Sequence, residues 1–195
     1  MLQMIRKSIA QTQGLIDELS KRIKDILVKY DNVLELLKEI PGFNINVVED
    51  LVSEIGLDMS AFPSEKHLAS WAGICPGNNE SAGKKSGRIT HGNKQVKAVL
   101  TEAAWAATRT KNTFFSERYH RISARRGKKR ALIAVAHSQL TAAYLILSTG
   151  AKYHELGAQY MQAKIEKKRK VYLTAELKKL GYKVSLEKNM EATES

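Results

Sequence analysis

The residues with the most evident chemical potential crowd into one stretch, Pro76-Gly77-Asn78-Asn79-Glu80-Ser81-Ala82-Gly83-Lys84-Lys85-Ser86-Gly87-Arg88-Ile89-Thr90-His91-Gly92-Asn93. The Ser81 hydroxyl stands among small residues, and Lys84, Lys85 and Arg88 follow within a few positions. Small neighbours let a phosphate backbone approach, while lysine and arginine stabilise the charge that builds on a pentacoordinate phosphorus. Two readings stay open on this spacing: a serine that attacks a phosphodiester, and a loop that only binds phosphate. A nucleotide-binding P-loop does not fit, because five residues separate Gly77 from Gly83 and Lys85, not a hydroxyl residue, follows Lys84. His91 is the histidine nearest Ser81 and is the candidate proton-transfer partner. His67, His120, His137 and His154 show no metal-ligand spacing.

Cations recur beyond that stretch. Lys94 and Lys97 fall in the first turns of the helix expected after Asn93, where positive charge opposes the helix dipole and a nearby phosphate would relieve the conflict. A second cluster, Arg118, Arg121, Arg125, Arg126, Lys128, Lys129 and Arg130, links two expected helices, with Glu117 as its adjacent acid. Such a cluster is either a solvated charge run or a surface for the phosphate backbone, and its density favours the second. These positions promise affinity rather than sequence reading. Glu49, Asp50, Glu54, Asp58, Glu102 and Glu117 read as solvated helix faces, so no metal site is expected.

The elements that must position these residues are helical. Leu2, Ile5, Ile9, Thr12, Ile16, Leu19, Ile23, Ile26, Tyr30, Val33, Leu37 and Ile40 recur at alternating steps of three and four, the a/d pattern of a coiled coil. One long helix is expected to run to Ile40, where Pro41 and Gly42 stop it. It either pairs with another chain or packs along a neighbouring domain. Ile40-Pro41-Gly42-Phe43 leads into a second pattern, Val47, Val48, Leu51, Val52 and Ile55, giving a helix-hairpin-helix-like unit. That turn either presents N–H groups to a phosphate or is a corner packing two helices. Ser64 is placed as the N-cap of a short helix through Trp71. The glycine-rich stretch from Gly73 to Gly92 is expected to be an irregular loop or a short hairpin. Helices are then expected from about Asn93, from Phe114 to Ile122, and from about Ala131 to Gly150, the last as the core helix. The basic segment from Lys164 to Lys179 ends at a C-cap candidate, Gly181, before an alternating stretch Tyr182-Lys183-Val184-Ser185-Leu186 and a frayed tail.

The chain is 195 residues long and 43% hydrophobic, enough for one real core with extensions. The expected fold class is mainly α: a coiled-coil arm over 1–40, a compact helical domain over 41–150 and a basic C-terminal extension over 151–195. Lysine and arginine number 32 against 20 acids, a net charge of +12, which puts DNA or RNA first among partners. With Cys75 as its single cysteine, the chain can form no internal disulfide and no cysteine-based zinc cluster. No apolar run reaches the roughly 18 residues of a membrane span, and no secretory signal opens the chain. A cytoplasmic, nucleoid-associated location without membrane contact is expected.

Ile40-Pro41-Gly42, Ala69-Ser70-Trp71-Ala72-Gly73-Ile74-Cys75-Pro76, Asn79-Glu80-Ser81-Ala82-Gly83-Lys84 and Gly127-Lys128-Lys129-Arg130-Ala131 together resemble the C-terminal domain of the DEDD-type, bridge-RNA-guided insertion-sequence transposases. The likeness covers about residues 33 to 150. The heptad arm and the Leu180-Gly181-Tyr182-Lys183-Val184 ending agree with it. The resemblance implies a serine nucleophile at Ser81, DNA and a structured guide RNA as partners, and a homodimer or tetramer. It also implies a RuvC-like half whose four carboxylates hold magnesium. The long helix before Pro41 has no strand pattern to display such carboxylates, so the chain is expected to lack that half and to bind no cofactor itself. The rival expectation is a nucleic-acid-binding and dimerisation module without chemistry of its own.

Overall fold

The computed structural model describes residues 1–75, 79–81, 84–86 and 91–186, with 79–81, 84–86 and Met161 described as backbone alone. It is mainly helical, a long N-terminal helix followed by a compact helical region, as expected from the sequence. Helix α1 spans Leu2–Leu27 and buries none of its residues. Its apolar seam is open to solvent, including Leu2, Ile5, Ile9, Ile16, Leu19, Ile23 and Ile26.

The long helix is not continuous to Ile40. A single 3-10 turn at Val28–Tyr30 interrupts it, and α2 resumes over Asp31–Lys38. Two local causes coincide there: Val28 and Tyr30 lose side-chain freedom in a helix, and Asp31-Asn32 competes for the backbone. The larger cause is burial. Leu34, Leu37 and Ile40 enter the core, whereas of α1 only its last residue, Leu27, packs against it, so one heptad seam serves two environments and the helix breaks between them.

Helix α3 covers Ile45–Ile55, with the Asn44 side chain accepting a hydrogen bond from the Val47 N–H at 2.9 Å. Helix α4 covers Glu65–Trp71. Ser64 precedes it as expected, but its hydroxyl pairs with His67 Nδ1 at 2.8 Å and makes no cap to the backbone. Helices α5 (Lys94–Arg109), α6 (Phe114–Arg126) and α7 (Lys128–Thr149) complete the compact region. Both α6 and α7 are longer than their apolar periods suggested, because the basic cluster between them is helical except at Gly127.

Helix α7 is the hub. Its buried side carries Ala131, Val135, Ala136, Gln139, Leu140, Ala143 and Ile146, and it packs against α2, α4, α5 and α6. This helix is also long and apolar enough to cross a membrane by length and composition. Its central place in the core accounts for that composition in a packed domain.

The turn between α2 and α3 is pressed into this core. Gly42 has φ +91°, and a Cβ there would lie 2.2 Å from the Ala103 carbonyl oxygen on α5. Only glycine fits both the backbone angle and the contact. The fully buried Gln139 donates from Nε2 to the Pro41 carbonyl at 2.8 Å, so α7 grips the same turn. The corner reading of Ile40-Pro41-Gly42-Phe43 is thus what the packing displays.

The C-terminal extension starts as part of the packed body. Glu155 Oε1 accepts from the Phe114 N–H and the Gly157 N–H, each at 2.8 Å, placing a carboxylate at the start of α6. Tyr153 stacks on Phe115 with centroids 6.2 Å apart. Helix α8 then runs over Ala158–Lys179. It closes as a Schellman turn, with the Tyr182 N–H bonded to Leu177 and the left-handed Gly181 N–H bonded to Lys178. The alternating stretch 182–186 forms no strand.

Candidate nucleic-acid interface and serine hairpin

The glycine-rich stretch contains a short antiparallel hairpin, β1 (Asn79–Ser81) and β2 (Lys84–Ser86). Its register sets Ser81 against Lys84, Glu80 against Lys85 and Asn79 against Ser86. The two residues proposed to attack and to stabilise a phosphate are therefore backbone neighbours across the ladder, separated in sequence by Ala82 and Gly83. Arg88 lies outside the described residues. His91 is exposed and stands at the far end of the stretch, beside Gly92.

The two ends of the stretch lie tightly against each other. A Cβ on Gly92 would lie 2.2 Å from the Gly73 nitrogen and 2.5 Å from the Trp71 carbonyl oxygen. The Asn93 N–H bonds to that same Trp71 oxygen at 3.1 Å. Asn93 then caps α5, its Oδ1 accepting from the Gln95 and Val96 N–H groups at 2.8 and 3.0 Å, while its Nδ2 donates to Glu54 on α3 at 2.7 Å. Three helices thus hold both feet of the loop: α4 through its last turn, α5 through its cap, and α3 through Glu54. Sequence reasoning missed this clamp. The signal was present in Gly92-Asn93, a glycine followed by an N-cap residue, but the partner Gly73 could be found only in three dimensions.

Cys75 begins the stretch, half-buried, and burial raises its thiol pKa above the ordinary value.

The cations predicted beyond the hairpin stretch fall into three groups. Lys94 and Lys97 sit at the start of α5, where the first turn carries no acid. They line a shallow groove of about 530 Å³ together with Thr101, Glu102, Trp105 and Leu132. Lys128 and Lys129 lie four and three residues before Leu132 on α7, the spacing that puts side chains on one helical face. The second group, Arg125, Arg126, Lys128, Lys129 and Arg130, is exposed around Gly127. Arg125 and Arg126 suit the negative end of α6, but Lys128, Lys129 and Arg130 stand at the positive end of α7 with no acid in its first turn. Among the described residues none of the seven α6–α7 cations forms an ion pair.

Arg118 and Arg121 form the third group and are half-buried. Arg118 Nε donates to the Ala134 carbonyl at 3.3 Å, tying α6 to α7, and its guanidinium lies 5.9 Å from the Phe114 ring centroid. Burial, and then the neighbouring Arg121, pull the Arg118 pKa down. Arg121 Nε is buried without a hydrogen-bond partner among the described residues. His137 belongs to the same corner. Its pKa is lowered by burial and by Arg118, with Glu65 opposing.

No group of three or more His, Cys, Asp or Glu side chains among the described residues is arranged to hold a metal ion.

Comparison with known proteins places this geometry in context. Residues 34–121 match the family model described as transposase, IS116/IS110/IS902 family. The matched segment begins in α2 and ends in α6, so it contains the buried corner, the clamp and the hairpin. A pilin gene-inverting protein of Moraxella bovis is 31% identical over 116 residues, covering 57% of this chain and 36% of that protein. The IS900 uncharacterized 42 kDa protein of Mycobacterium paratuberculosis is 27% identical over 149 residues, 75% of this chain and 35% of its own length. The IS110 uncharacterized 43.6 kDa protein of Streptomyces coelicolor is 25% identical over 164 residues, 78% of this chain and 38% of its own. The chain spans little more than a third of the length of each of these relatives.

Proposed function

We propose that this chain acts in DNA transposition or inversion, as the segment that carries the nucleophile. The observation that carries the reading is the match of residues 34–121 to the transposase family; the hairpin that pairs Ser81 with Lys84 inside that segment supports it. In the proposed step the Ser81 oxygen bonds to a backbone phosphorus as the bond from phosphorus to one deoxyribose oxygen breaks. The serine gives up its proton, the departing oxygen gains one and leaves as a hydroxyl, and the strand remains as a phosphoserine ester. Lys84, Lys85 and Arg88 offset the equatorial charge. The exposed cations of α6 and α7 and the lysines of α5 hold the flanking nucleic acid through its phosphates.

The reading includes a RuvC-like half with carboxylate-held magnesium, a structured guide RNA and self-association through α1. Magnesium would supply charge stabilisation at the phosphoryl centre. A second reading, a nucleic-acid-binding and dimerisation module without chemistry, is favoured by the exposed cations around Gly127 and the open apolar seam of α1.

Covalent trapping on nicked or suicide DNA, with and without a RuvC-like half supplied in trans, separates the two. The first reading expects a denaturant-resistant DNA–protein band that depends on the added half. The second expects retained, salt-sensitive binding and no such band under either condition.

A further inference from the structure

Trp105 is 45% exposed on α5, although the same helix buries Ala103, Ala104 and Ala107 on its other side. The indole is held rather than loose. Tyr119, nearly buried on α6, meets it edge to face at 6.3 Å and 83°, and the Arg109 guanidinium lies 5.4 Å from its ring centroid. It forms one end of the open groove that Lys94 and Lys97 line, at the i, i+3 and i+11 positions of one helical face. Single exposed aromatic residues need no explanation in general. This one is a braced aromatic plane at the end of a row of cations, which is how proteins take hold of a nucleic-acid strand: phosphates on the cations, a base on the ring.

We propose that this groove seats an unpaired nucleobase on Trp105, with Lys94 and Lys97 on the phosphates to one side and Arg109 on the other. The proposal rests on the nucleic-acid reading above and specifies which form of nucleic acid the groove takes. Glu102 lines the same groove and favours a base over a phosphate next to the indole, because a carboxylate repels phosphate and accepts hydrogen bonds from the amino groups at base edges. A duplex keeps its bases stacked and cannot offer one to the ring, so the groove selects single-stranded or extruded nucleotides.

The test uses the full chain with Trp71→Phe, so that tryptophan fluorescence reports on Trp105 alone. It is titrated with a single-stranded oligonucleotide, an abasic oligonucleotide of equal length, and a blunt duplex. The expected result is quenching by the single strand but not by the abasic strand or the duplex. Trp105→Leu is expected to weaken single-strand binding about fivefold or more while leaving abasic-strand affinity and the salt slope unchanged. Circular dichroism of that variant checks that α5 is intact, and Trp105→Tyr should restore most of the affinity. Equal quenching by the abasic strand, or equal loss for both strands in Trp105→Leu, overturns the proposal. So does fluorescence that changes with protein concentration alone, which would mean that a second copy covers the ring. Salt-dependent binding without quenching removes this proposal and leaves the nucleic-acid reading intact. No binding of any oligonucleotide at low salt removes both.

Discussion

A methyl group at Gly42 would have to displace the α5 backbone, since the Ala103 carbonyl oxygen would stand 2.2 Å away and the backbone sits at φ +91°. Neither obstacle can be relieved by a rotamer change, so Gly42→Ala is expected to cost about 3 kcal/mol or more in a denaturant melt. Gly92→Ala meets the Gly73 backbone in the same way and should cost about 1–3 kcal/mol. Asn93→Ala removes a cap and should cost about 1 kcal/mol. Ser81 is flanked in sequence by Glu80, Ala82 and Gly83, and Ser81→Ala should shift stability by less than about 0.5 kcal/mol. His137 supplies a pH test. Its folded-state pKa is depressed, chiefly by burial, so at low pH the unfolded chain takes up a proton that the folded chain resists. Its contribution is therefore complete above its ordinary value of 6.5 and is lost as pH falls below it. The melting temperature of wild type is expected to drop more steeply between pH 7 and 5 than that of His137→Gln. The short hairpin was legible in the sequence as one of two readings of the glycine-rich stretch, because glycine and polar residues mark turns by type. Gly42, Gly92 and Gln139 were not, because their roles depend on which distant backbone lies against them.

At the scale of elements, apolar period located nearly every helix, and the errors share one cause. The period reports which residues are apolar and not what covers them, so a single seam from Leu2 to Ile40 concealed the change from the solvent-exposed α1 to the core-packed α2. The same limit shortened α6 and α7, whose basic ends carry no apolar signal although they are helical. The open seam of α1 leads to a prediction on the proposed self-association. Sedimentation of the full chain at tens of micromolar is expected to show a species larger than monomer, and Leu19→Lys with Ile23→Lys should return it to monomer without changing the core's melting behaviour. Monomeric sedimentation of wild type at that concentration would remove α1 as the interface. The Val28–Tyr30 turn would then mark only a joint between two packing environments.

For the whole molecule, the net charge of +12 becomes informative through its distribution: cations collect at the Gly127 corner and at the starts of α5 and α7, whose first turns carry no acid. Replacing Arg125, Arg126, Lys128 and Lys129 together by alanine is expected to flatten the log–log salt dependence of DNA binding by up to about 0.9 for each phosphate those cations neutralise. An unchanged slope would make that corner a solvated surface. The proposal that Ser81 is the nucleophile is tested most directly by mapping the bond itself. The chain, complemented with a RuvC-like half, is incubated with suicide DNA, the denaturant-resistant product is digested, and the nucleotide-bearing peptide is sequenced by mass spectrometry. The account predicts the phosphoryl group on Ser81, and no such peptide from Ser81→Ala. A nucleotide mapped to Ser86, or an adduct that persists in Ser81→Ala, would contradict it.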